Sequence, residues 1–155
     1  MELLNAEKEH YQQIGRLVNS AEQLYTICPS GSYPWDEEQL SEIAETRLNL
    51  TICSVEGCVA AFGNIYNVVP GESAFIGNII VGDNYKGQGI GKKLIQYLSE
   101  LCEESYDAIP HISVFGFNTR ALLLYTRLGF VPYAIEERTS PNGETVALIH
   151  MHLDS

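Results

Sequence analysis

Apolar residues recur along this chain with two periods, and each change of period marks an element. Leu3 and Leu4 open a short strand. Tyr11, Ile14, Leu17 and Val18 follow at helical spacing, with Asn5 as a candidate cap. PSGSYPWDEEQL reads as a loop entering a second helix, where Asp36 and Gln39 resemble a capping box and Leu40, Ile43 and Ala44 face inward. LTICSV and CVAAFGNIYNVV flank Glu56-Gly57 as a hairpin, and Pro70-Gly71 marks the next turn. FIGNIIV (75–81) is short, apolar and β-branched, which suits a central strand. Ile90, Leu94, Leu98 and Leu101 return to helical spacing, and HISVF reads as a strand. Asn118 stands where it would cap a helix carrying Ala121, Leu124, Tyr125 and Leu128, closed by Gly129. VPYAIEER, SPNGE and TVALIHMHL form a last hairpin. Strands, helix, strand, helix, strands is the order of an α/β protein whose mixed sheet is covered by helices.

Composition adds bounds. The 155 residues hold no linker, repeat or low-complexity tract, so one domain over 1–155 is expected. Cys28, Cys53, Cys58 and Cys102 form no CxxC pair, and reduced thiols are expected, although Cys53 and Cys58 could face one another across the hairpin. His150 and His152 share a strand face but lack the further ligands a metal needs. MELLNAEKEH does not read as a signal peptide and no run approaches a membrane span, so a cytoplasmic protein without a membrane partner is expected. The net charge of −11 argues against nucleic acid as a partner. It favours a cationic substrate such as an amine. Five of the nine basic residues nevertheless fall between Lys86 and Arg127.

That basic stretch surrounds the most informative segment, FIGNIIVGDNYKGQGIGKKLIQYLSEL: strand, short loop, glycine-rich turn, helix. Gly87, Gly89 and Gly91 allow close approach of backbone to ligand. The first amides of the helix lack internal partners and, with the helix dipole, attract a pyrophosphate. Lys86, Lys92 and Lys93 add charge at the same end. A Walker loop requires Ser or Thr where Lys93 stands. A dinucleotide fingerprint sets its glycines against the strand end, with an acid ending the next strand; here Gly-Asp-Asn-Tyr-Lys intervenes and HISVF carries no acid.

KGQGIG after a strand closely resembles the acetyl-CoA pyrophosphate motif of the GNAT acyltransferase superfamily. Gly89 and Gly91 match that motif, and Lys86 keeps a donor where Gln or Arg is usual. NTRALLLYTRLGF (118–130) resembles the same family's Asn, helix, Tyr, Gly-Phe element, and the resemblance spans nearly the whole chain. It implies a GNAT-like acyl-CoA N-acyltransferase fold: a mixed, mostly antiparallel sheet of six or seven strands with about four helices.

The resemblance also implies roles. The pantetheine arm of acetyl-CoA would pair with Ile79, Ile80 and Val81 as an added strand does. The pyrophosphate would meet the amides of Gly87, Gln88, Gly89, Ile90, Gly91 and Lys92, and Asn118 would bond the arm. Tyr125 would protonate the leaving thiolate. The implied reaction is direct attack of a primary amine, peptide or small cationic molecule, on acetyl-CoA, with no metal. The rival expectation is a non-catalytic CoA-binding module, and a homodimer is left open. In the ribosomal-protein alanine N-acetyltransferases, which share the Pro-Trp helix entry, a strand glutamate is the base; the matching position here is Ser113. Glu72, His111 or a water held by Asn78 are candidate substitutes. Tyr33, Pro34 and Trp35 would either wall the acceptor site or staple the helix entry to the core.

Overall fold

The computed structural model describes residues 1–153. Its strands are β1 (Glu2–Asn5), β2 (Leu48–Val55), β3 (Cys58–Val69), β4 (Ser73–Val81), β5 (Ile109–Phe115), β6 (Phe130–Thr139) and β7 (Thr145–Leu153). All seven form one sheet in the order β1-β2-β3-β4-β5-β7-β6. Only the β4–β5 pairing is parallel. The helices are α1 (Tyr11–Gly15), α2 (Ala21–Ile27), α3 (Glu37–Thr46), α4 (Ile90–Tyr106) and α5 (Thr119–Arg127).

The sequence expectation of about four helices is one short among the described residues. The unexpected one is α2, started by Ser20, whose hydroxyl accepts from the Gln23 amide at 3.1 Å. Asn5 does not cap α1; it ends β1, and a 3₁₀ turn at Lys8–His10 leads into the helix. Leu17 and Val18 lie beyond α1 yet remain buried. Asp36 caps α3 by accepting from the Gln39 amide, but the Gln39 side chain turns to the Ser32 and Pro34 carbonyls, so the box is half made. Leu40 is fully buried, whereas Ala44 is exposed. Cys53 sits opposite Ala61 and Cys58 opposite Val55, so the two thiols do not face one another.

A core lies on each face of the sheet. Ala74, Ile76, Ile112, Val114 and Met151 pack with Leu94, Ile95 and Leu98 of α4 and with Tyr125 of α5. Ile52, Phe62 and Ile80 pack on the other face with Ile14, Leu24, Trp35 and Leu40. Alternation puts Ala74 and Ile76 on the α4 side, and would put Ile80 there too. A bulge prevents this: the β3–β4 register shifts between Phe62 and Asn64, and Asn78 takes the left-handed conformation at φ 51°. Ile79 and Val81 thereby turn toward α4, and Ile80 turns away. Gly63 makes room, since a Cβ there would lie 2.5 Å from the Ile79 Cδ1 atom. No helix among the described residues is long and apolar enough to cross a membrane.

Candidate active site

The site begins where two strands part. β4 and β5 pair from Ser73 opposite Ile109 to Ile76 opposite Ile112, and no further. β4 continues to Val81 and β5 to Phe115, leaving a wedge between them. The β5-facing amides and carbonyls of β4 have no strand partner there and are free to bond a ligand. The bulge is fixed by a chain of polar contacts. Arg47 Nη1 donates to Asn64 Oδ1 (3.0 Å), Asn64 Nδ2 to Asn78 Oδ1 (2.7 Å), and Asn78 Nδ2 to the Ile27 carbonyl (2.8 Å). The last bond docks the end of α2 against the wedge.

At the mouth of the wedge the glycine turn enters α4. Gly87 and Gly89 have φ of 80° and 78°, and a Cβ at either would meet nothing within 4 Å. Conformation, rather than space, requires glycine at both. Gly89 occupies the cap position with no side chain to satisfy the first amides of α4. A Cβ at Gly91 would touch Val81 Cγ2 at 3.4 Å and Leu124 Cδ2 at 3.6 Å, so Gly91 forms the floor between β4 and α5.

Turn, wedge and α5 enclose a cleft of about 580 Å³. Ile79, Ile80, Val81, Lys86, Gly87, Gly89, Ile90, Gly91, Lys92, Asn118 and Tyr125 all line it; among the expected site residues Gln88 does not. Its lining includes Lys86, Lys92, Arg120 and Arg127 and no carboxylate, in a chain of net charge −11. This is the electrostatic footprint of a site for a multiply charged anion. Lys86 is tempered by Asp83, whose carboxylate lies 2.9 Å from its ammonium and also accepts from Asn19. Arg120 and Arg127 carry no motif; only their charge distinguishes them in the sequence. Gln23, Thr26 and Ile27 of α2 complete the wall and had no sequence signal beyond the Ser20 cap.

Asn118 precedes α5 but its side chain makes no cap bond, which leaves the amide to the cleft. Tyr125 is 6% exposed, its ring against Phe130, and burial pushes its phenol well above the ordinary range. It is neutral at working pH, the form of a phenol that carries a proton to give.

The acetyltransferase (GNAT) family model matches residues 17–130. The chain belongs to this family. The chain is 32% identical over 111 residues to the [ribosomal protein bS18]-alanine N-acetyltransferase of Escherichia coli (strain K12), covering 71% of this chain and 73% of that one. It is 32% identical over 75 residues to the thialysine N-epsilon-acetyltransferase of Bos taurus, covering 46% and 44%. Among solved structures, yncA from Salmonella typhimurium, described as a putative acetyltransferase with its cofactor acetyl-CoA, matches at TM-score 0.79 and 18% identity over 99% of this chain and 92% of that one.

The base candidates of this acetyltransferase divide by position. Glu72 lies in the turn before β4, roughly 30 Å along the strand from Val81 at about 3.3 Å per residue. Asn78 is committed at both ends of its amide to protein partners. His111 lies on the paired part of β5 opposite Phe75, with Nδ1 2.9 Å from the Tyr133 hydroxyl. Desolvation, then His152 and His150, lower its pKa. Trp35 is 3% exposed and packs edge-on to Phe62, so it staples the helix entry to the core. Tyr33 and Pro34 line a separate cleft of about 420 Å³ that shares no residue with the glycine-turn cleft. No group of three or more potential metal ligands occurs among the described residues.

Proposed function

We propose that this acetyltransferase binds acetyl-CoA along the β4–β5 wedge and passes the acetyl group directly to a primary amine, either of a peptide or of a small cationic molecule. The observation that carries the reading is the continuity of wedge, glycine turn and Tyr125 in one cationic cleft. The residues present fit the co-substrate. Open left-handed glycines and unpartnered helix amides suit a pyrophosphate, four cations suit its charge, and a free strand edge suits amide groups in an extended arm.

Bound there, acetyl-CoA supplies an activated acetyl carbonyl. A β4 amide aimed into the wedge would polarise that carbonyl as an oxyanion-hole donor. Tyr125 would deliver its proton to the departing sulfur, since α5 places it in the same cleft as the end of β4. Asn118 would hold the arm from the β5 side. The acidic remainder of the surface supports a cationic acceptor through long-range attraction. The relatives are named for an alanine of a ribosomal protein and for the ε nitrogen of thialysine, both amine acceptors.

The test is thiol release from acetyl-CoA across N-terminal peptides, lysine peptides, polyamines, aminoglycosides and amino acids, with mass analysis of the product. Release that requires one class, with acetyl found on its nitrogen, is expected. Protein that binds acetyl-CoA and acetylates none of them contradicts the reading.

A further inference from the structure

The position that matches the strand glutamate of the ribosomal-protein alanine N-acetyltransferases holds Ser113, and the structure shows what surrounds it. Ser113 is the first β5 residue beyond the last β4–β5 pair, at the root of the wedge. Ile112 and Val114 point into the α4 core, so Ser113 points to the opposite face. Its hydroxyl lies 2.7 Å from His150 Nδ1 on β7. His150 Nε2 lies 3.0 Å from Glu136 Oε1 on β6, and the other oxygen of Glu136 is held by Arg138.

We propose that Ser113, His150 and Glu136 form the proton path that relieves the attacking amine, in place of a carboxylate on β5. The inference rests on the acetyl-transfer reading above. Its chemistry follows from which atom holds each proton. Arg138 first, then His150, hold the Glu136 carboxyl below its usual range, so it is ionised and only accepts. His150 must then carry its hydrogen on Nε2, which leaves a lone pair on Nδ1 facing Ser113. The Ser113 hydrogen then turns toward Nδ1, which leaves its oxygen as the acceptor for an amine proton arriving at the root of the wedge, beside the Tyr66 hydroxyl. The groups facing His150 are Glu136 and Tyr133 on β6, His111 on β5 and His152 on its own strand, while Tyr66 on β3 and Arg138 on β6 face Ser113 and Glu136 respectively. Only Glu136 among them is anionic, so the imidazolium formed in transfer has one specific stabiliser.

In the step, the amine nitrogen bonds the thioester carbon, and its proton moves to Ser113 Oγ as the serine proton moves to His150 Nδ1. The carbon–sulfur bond breaks with its electron pair on sulfur, which takes the Tyr125 proton. His150 then loses its proton to water, and Tyr125 regains one. The exit is open, since the side chains of His150 and Glu136 are 21% and 46% exposed.

The experiment measures kcat/KM against pH for wild type, His150→Gln, Ser113→Ala and Glu136→Gln, with acetyl-CoA affinity measured alongside. His150→Gln is expected to lose about 100-fold or more and to abolish the acid limb of the profile, with affinity for acetyl-CoA unchanged. Ser113→Ala should lose a similar factor. Glu136→Gln, on an exposed edge strand where folding is not at stake, should lose about tenfold and move the limb. A His150→Gln enzyme within about threefold of wild type, with the acid limb in place, overturns the relay while leaving acetyl transfer standing. If His150→Gln does not fold, a Glu136→Gln enzyme with wild-type rates and profile overturns it equally. Wild-type protein that binds acetyl-CoA but acetylates no amine fails the parent reading, and the relay falls with it.

Discussion

Replacing Gly89 with alanine separates the ligand's demand on the glycine turn from the backbone's own. At φ 78° an L side chain is strained, and a Cβ meets no neighbour within 4 Å, so the stability loss is backbone strain alone, about 1–2 kcal/mol. Unfolding entropy near 2.1 cal/mol/K per residue gives about 0.33 kcal/mol/K for 155 residues, which converts the strain to a fall of about 3–6 °C in Tm. Gly57, in the β2–β3 turn, is the matched control: φ is 80°, the surroundings are equally empty, and it does not line the cleft. Gly57→Ala should therefore show the same fall in Tm and bind acetyl-CoA as wild type does. Gly89→Ala should show that fall and also lose affinity about tenfold or more, because the new methyl stands where the helix amides must meet an anion. Differential scanning fluorimetry and titration calorimetry read the two quantities. Equal affinities for the two variants would refute the assignment of the turn to the pyrophosphate.

Other expectations follow from single contacts. Tyr125→Phe keeps the ring and its packing and removes the donor; kcat should fall about 100-fold or more with acetyl-CoA affinity unchanged, and an unchanged kcat would remove Tyr125 from the mechanism. Asp83→Asn frees Lys86 and removes a charge near the turn. At about 8 Å in water each unit charge contributes about 0.5 kcal/mol, so acetyl-CoA should bind about fivefold tighter at low salt. A gain that persists at ~1 M salt would contradict this electrostatic origin. Burial pushes the Cys53 thiol up to about 11 and the Cys102 thiol up to about 12 from an ordinary 9.0. Below pH 9 both states keep these protons; above it the unfolded chain sheds protons the fold retains, so stability falls as pH rises toward those values. The slope is about 1.4 kcal/mol per pH unit for each thiol, and a Tm that stays flat from about pH 8 to about pH 10 would contradict the burial of both.

What could be read from the sequence was local. Glu56-Gly57 marks a turn, where the structure gives both residues positive φ, and strands of alternating burial follow from their composition. KGQGIG and NTRALLLYTRLGF mark the two elements that meet at the cleft. α2 was illegible because it buries only Leu24, too little to impose a helical period. The bulge at Asn78 was hidden inside a continuous apolar run, where a shift of one residue leaves no trace in hydropathy yet decides that Ile79 and Val81 face α4 and Ile80 the opposite core. Ser113, Glu136 and His150 come from three strands that the sheet order makes adjacent. Spacing along the chain carries no record of that, so Glu72 and His111 looked equally eligible.

The measurement that bears most directly on the central claim is the initial rate of thiol release over a grid of acetyl-CoA and amine concentrations. Direct transfer in the wedge gives release that requires the amine, with reciprocal plots that intersect. Parallel plots would indicate an acetylated enzyme intermediate, and release indifferent to the amine would indicate hydrolysis; either contradicts direct transfer.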